Sequence, residues 1–177
     1  MRKSTKTALG GIIAALSLVL MLLTSVIPFL SYALPALAGV SLMIMVMEID
    51  RKWAFAAYAT ISMLSLFLLA DKEAAVMYAA FFGYYPILKS VLEEKLNRVA
   101  GFIIKLLVFN AAVAVAIIIT TFVFKIPLDG LDDFGKYSIP ILIGLAELTF
   151  VIYDYALSRF VILYMRYFRK YVRRIFK

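Results

Sequence analysis

Four side chains stand where their chemistry would act inside an apolar stretch: Lys105, Asn110, Glu147 and Asp154. Glu147 and Asp154 are seven residues apart, about two turns of a helix, so both carboxylates fall on nearly the same face. Lys105 precedes Asn110 by one to two turns. A charge placed in lipid costs about 2.5–3.5 kcal/mol on insertion scales, so these groups should face a protein interior or pair with one another. A Lys105–Asp154 bridge between two helices is one expectation, and its plain function is to brace the bundle. Glu147 is better placed to hold a ligand, with Asn110 as a neighbouring polar group. The same carboxylates would also suit a proton or ion path. The sequence has no cysteine and no histidine. Disulfides, zinc sites, Cys or His nucleophiles and His-ligated haem are excluded. With no nucleophile–base pair or metal set to assemble, no enzymatic activity, metal or cofactor is expected.

The elements that position these groups follow from composition. Of 177 residues, 65% are hydrophobic and 17% charged, and the mean hydropathy is +0.98. A soluble domain of this size cannot hide so much apolar surface. The charges cluster between apolar runs of roughly 20 residues, the length at which a helix crosses a hydrocarbon core of about 30 Å. Six membrane-spanning helices are predicted, at about 8–28, 29–49, 53–70, 74–88, 99–124 and 138–164, forming one all-α bundle. Pro28 and Pro35 mark an irregular first link, and Pro35 is expected to bend or delay the second helix. Trp53 is expected to anchor the third helix at an interface. Asp71-Lys72-Glu73 is a tight polar turn, and residues 89–98 read as an amphipathic helix or a helical extension. The Ala36-Leu37-Ala38 string resembles a signal cleavage site, but the apolar region before it is too long for a signal peptide and continues beyond it.

Charge distribution sets the expected orientation. With the amino terminus in the cytoplasm, the inner segments carry Arg2, Lys3, Lys6, Arg51, Lys52, Lys89, Lys95, Arg98 and the six basic residues from Arg166 to Lys177. The outer segments carry only Lys72, Lys125 and Lys136. That asymmetry is the positive-inside pattern of a multi-pass cell-membrane protein with both termini cytoplasmic. The net charge of +8 is accordingly assigned to topology and anionic lipid, not to nucleic acid, and the basic-aromatic tail 165–177 to the inner membrane surface.

A binding mouth is expected at the outer end. Tyr32 lies in the first link, Lys72 and Glu73 in the second, Tyr78 one turn below the start of the fourth helix, and Tyr84 deeper. Aromatic walls with a few polar groups suit a flat heterocycle, although interfacial tyrosines are also routine belt residues. Asp129, Asp132 and Asp133 share the longest loop, which lacks the ordered ligand series of a calcium site. Gly130–Lys136 spells Gly-x-x-x-x-Gly-Lys, but Tyr137 follows where a phosphate loop needs Ser or Thr, and two aspartates would repel phosphate. No ATPase resides in this chain by that reading.

The first helix carries Ala8-Leu9-Gly10-Gly11-Ile12-Ile13-Ala14-Ala15-Leu16. Gly10 and Ala14 are four apart, as are Gly11 and Ala15, so small residues share a face that another helix can approach closely. That face serves either packing within the bundle or docking of a partner. Together with Pro35-Ala36-Leu37-Ala38-Gly39 at the second helix and Phe82-Gly83-Tyr84-Tyr85-Pro86-Ile87-Leu88-Lys89 at the end of the fourth, it resembles the substrate-binding subunits of energy-coupling factor vitamin transporters. Glycine stands here for one alanine of that family's Ala-x-x-x-Ala face. The resemblance covers nearly the whole chain in size, topology and motif order. It implies a small subunit that captures a vitamin-like nutrient from outside. It also implies that the subunit topples in the membrane on engaging a transmembrane coupling subunit, through Gly10, Gly11, Ala14 and Ala15, and two cytoplasmic ATPases. The candidate substrate contacts are Tyr32, Lys72, Glu73, Tyr78, Tyr84, Asn110 and Glu147. The competing readings are a stand-alone secondary transporter or channel built on Glu147 and Asp154, and a membrane scaffold.

Overall fold

A computed structural model describes residues 3–125 and 138–175. All the described secondary structure is helical. The helices are α1 (Lys3–Leu23), α2 (Ala33–Glu48), α3 (Arg51–Leu68), α4 (Lys72–Lys95), α5 (Arg98–Val123) and α6 (residues 138–175). Four of them, α1, α4, α5 and α6, are long and apolar enough to cross a membrane. Helix α2 is apolar but shorter, at 16 residues. Helix α3 opens with Arg51 and Lys52, carries Thr60, Ser62 and Ser65 within its 18 residues, and is not among the four.

Local chemistry sets the boundaries. The chain leaves α1 at Leu23, earlier than its apolar run ends, and passes through a short 3-10 turn at Pro28–Leu30. Helix α2 begins at Ala33, so Pro35 sits in the first turn, where its missing N–H has no intrahelical partner to lose. Asp71 caps α4 by accepting a 2.9 Å hydrogen bond from the Ala74 N–H, so the polar turn expected at residues 71–73 already contains the first residues of the helix. Asn97 does the same for α5 through the Ala100 N–H at 2.9 Å. Residues 85–95 continue α4 as a helical extension ending at Lys95. Both α4 and α5 widen into a π-helical turn, at Tyr78–Phe82 and Ile119–Val123 respectively, and α6 does so at Tyr164–Phe168 before continuing to Ile175.

Side-chain pairs fix the directions. Gly10 of α1 lies beside Met45 of α2 and Ile49 just after it, and the Ser17 hydroxyl donates to the Ala38 carbonyl at 3.2 Å, so these helices are antiparallel. Tyr58 bonds the Ala79 carbonyl at 2.6 Å while Arg51 bonds Ser90 at 3.0 Å, which makes α3 and α4 antiparallel. Lys105 meets Glu93 of α4, and it also meets Asp154 of α6 one turn from where Phe109 stacks on Phe150 at 4.8 Å. The helices therefore alternate, and their links gather at two ends. One end holds residues 24–32 and 69–71 and is called here the Tyr32 end. The other holds 49–50 and 96–97 and is called the Lys95 end.

The core between them is aromatic. Phe81, Tyr85, Phe109, Phe150 and Tyr153 are buried and in mutual ring contact. Gly39 lets α2 approach this cluster: an added Cβ would lie 2.2 Å from the Phe82 carbonyl oxygen and 2.8 Å from the Tyr153 hydroxyl.

Candidate functional site

The Tyr32 end is tied together by short polar contacts. The Tyr32 hydroxyl donates to the Glu73 carboxylate, joining the α1–α2 link to the first turn of α4. The Ala70 N–H donates to the Ser25 hydroxyl at 3.3 Å. Lys72 Nζ donates to the Leu66 carbonyl at 2.9 Å, which satisfies one free acceptor at the carboxy end of α3. Beside these ties lies a cavity of 670 Å³ between α3, α4 and α5, lined by apolar side chains and by Lys72. Of the residues expected at a binding mouth, Tyr32, Lys72 and Glu73 are thus brought together, and Lys72 lines the cavity.

Tyr78 and Tyr84 do not line it. Tyr78 is fully buried, with its ring centroid 6.4 Å from that of Tyr58, and its hydroxyl has no hydrogen-bond partner among the described residues. Tyr84 makes an edge contact with Tyr58 at 5.9 Å. Asn110 and Glu147 form a separate site: Asn110 Nδ2 donates to Glu147 at 2.6 Å and to the Leu106 carbonyl at 3.0 Å. Their helices meet there on an exposed face of α5. Asp129, Asp132, Asp133 and the Gly130–Lys136 string lie outside the described residues.

The densest polar arrangement sits toward the Lys95 end. Asp154 Oδ1 accepts from Lys89 Nζ at 2.5 Å, from the Tyr85 hydroxyl at 2.6 Å and from Lys105 Nζ at 3.2 Å. Glu93 Oε1 lies 2.8 Å from Lys89 Nζ and 2.7 Å from Lys105 Nζ. Two ammonium groups and two carboxylates therefore compensate each other. Lys89 is 0% exposed and Lys105 6%, and such charges persist away from water only when paired and hydrogen-bonded. The Lys105–Asp154 bridge expected from the sequence is present, in a larger network. Lys89 was expected to flank a span as a topogenic charge. Instead α4 continues past it as a helix, and the i,i+4 spacing of Tyr85, Lys89 and Glu93 turns all three toward α5 and α6. That spacing is the signal by which Lys89 and Tyr85 are legible beforehand. A polar cleft of 380 Å³ opens against Glu93, Lys105 and Asp154.

The two small-residue pairs of α1 face different surroundings. Gly10 is buried against Met45, Ile49 and Trp53, and Ala14 packs on the core, so this pair serves the bundle itself. Gly11 and Ala15 are exposed, and a Cβ added at Gly11 would meet nothing within 4 Å. Comparison with known proteins finds no matching family model, no matching curated protein and no matching solved structure.

Proposed function

We propose that this chain is the membrane-embedded substrate-binding subunit of an energy-coupling factor type transporter. It captures a small vitamin-like nutrient from outside and delivers it with a transmembrane coupling subunit and two cytoplasmic ATPases. The observation that carries the reading is the 670 Å³ cavity at the Tyr32 end, a volume usual for small-molecule sites. In this reading all six helices cross the membrane, the shorter α2 being largely enclosed by its neighbours and α3 turning Ser62 and Ser65 inward while its apolar side chains face lipid. The lysine- and arginine-rich Lys95 end then faces the cytoplasm, and the cavity faces the cell exterior. The exposed Gly11–Ala15 face supplies a surface against which a partner helix can pack closely.

The test is co-expression with the coupling module of the same cell, followed by purification through a tag on this chain. A stable complex is expected. The Gly11→Leu/Ala15→Leu variant should fold normally, because both positions are exposed, yet recover at least about tenfold less complex, since two leucines prevent close helix approach. Failure of the unmodified protein to form any complex would reject the function. Full recovery with the variant would move docking away from α1.

A second reading is a stand-alone proton-coupled carrier. It rests on Glu147 Oε2, which is buried with no hydrogen-bond partner among the described residues. Proton-driven uptake by the purified chain in liposomes, without any ATPase, would select it.

A further inference from the structure

We infer that the Tyr32-end cavity binds a small amphiphilic acid, its apolar body among α3, α4 and α5 and its carboxylate on Lys72. As an account of a transport substrate this rests on the function proposed above; as a binding site it stands alone.

Among the described residues the lining has one ionisable member. Leu66, Ala79, Ala80, Val115 and Ile119 offer hydrocarbon, and of the described residues Lys72 alone offers charge. A sugar, a phosphorylated compound or a nucleotide would leave several polar groups without partners there, and each such group costs free energy when dehydrated. A ligand with one polar end and an apolar remainder has a single polar group to dehydrate, and Lys72 can partner it.

The sign of that polar end follows from how the nearby charges are used. The two acids adjacent to Lys72 in sequence are engaged elsewhere: Asp71 caps the Ala74 N–H and Glu73 takes the Tyr32 hydroxyl. No carboxylate among the described residues lies within ion-pair distance of Lys72. Its Nζ is held by the Leu66 carbonyl, which occupies one of three protons. The remaining donors suit an anion, and a charge-assisted bond at the edge of an apolar cavity is stronger than a neutral one.

The backbone is shaped at the same place. Ala79 and Ala80 lie within the π turn of α4, and Ile119 within that of α5. Two facing walls thus leave regular α-helix geometry where they border the cavity, a departure common at functional sites. The two alanines open space that larger side chains would fill.

The experiment uses the full chain in lipid nanodiscs, with octanoate, methyl octanoate and octylamine as probes in calorimetric titrations. Octanoate should bind about tenfold more tightly than its methyl ester, and octylamine more weakly still. Lys72→Met, which keeps the apolar stem, should reduce the preference for acid over ester to less than about threefold. Lys72→Arg should retain the preference. Ala80→Phe should weaken acid and ester alike by about tenfold or more, by filling the space. Equal affinity for acid and ester in the unmodified protein, or an unchanged ratio in Lys72→Met, would overturn the proposal. So would absence of octanoate binding with a phospholipid retained in native mass spectra and lost in Ala80→Phe, which would assign the cavity to lipid. Complex formation is read separately through Gly11 and Ala15, so each proposal can fail while the other survives.

Discussion

Replacing Asp154 with alanine is expected to remove about 3–5 kcal/mol of stability, the usual cost of stripping one partner from a buried ion pair. The size follows from what the carboxylate holds. Three donors converge on one oxygen, Lys89, Tyr85 and Lys105, and Lys89 is wholly enclosed. Alanine leaves two cations sharing Glu93, which is half exposed. The double variant Lys89→Met/Asp154→Leu removes one charge of each sign and keeps the Lys105–Glu93 pair. It should recover most of the loss, since apolar replacement of a buried pair is often neutral or favourable. Unfolding in increasing sodium dodecyl sulfate, followed by circular dichroism, measures both. A single variant within about 1 kcal/mol of the unmodified protein would show that the network does not brace the helices.

Two glycine-to-alanine changes should differ sharply in their effect. Gly39→Ala is expected to cost about 3 kcal/mol, because its methyl would stand 2.2 Å from the Phe82 carbonyl oxygen. That neighbour is backbone, so no side-chain rotation relieves the contact; α2 and α4 must separate, disturbing the aromatic core around Phe81 and Tyr153. Gly11→Ala meets nothing within 4 Å. It should leave stability unchanged or raise it by up to about 1 kcal/mol, through the better helix propensity of alanine. The same detergent titration compares them, and similar effects at the two sites would refute the close α2–α4 approach.

Helix order was legible because it rests on apolar run length and on polar punctuation such as Asp71 and Asn97, both of which are local. Lys105 and Asp154 were legible as a pair for a similar reason: two charges in apolar stretches at matching depth have few other partners. The third dimension was harder. Sequence shows that Gly10 and Gly11 each have an alanine four residues on, but not which pair turns inward, and that is settled by the Met45, Ile49 and Trp53 side chains packed around Gly10. Lys89 looked like a flanking charge because the apolar run fades at Leu88. It is instead enclosed, since the helix does not stop there. The π turns had no sequence signal at all, and with them the walls of the Tyr32-end cavity were hidden.

The described part of α6 extends well past the other helices. Its stretch Pro140–Val172 alone has 33 residues, roughly 50 Å of helix against a hydrocarbon thickness of about 30 Å. The surplus returns to the body of the molecule, where Arg169 lies 3.2 Å from Glu48, a carboxylate with no solvent exposure at the foot of α2. The last turns therefore work as a strut under the first hairpin. Shortening the protein before Arg169 would withdraw a counter-charge from that foot and loosen a contact more than a hundred residues away in the chain.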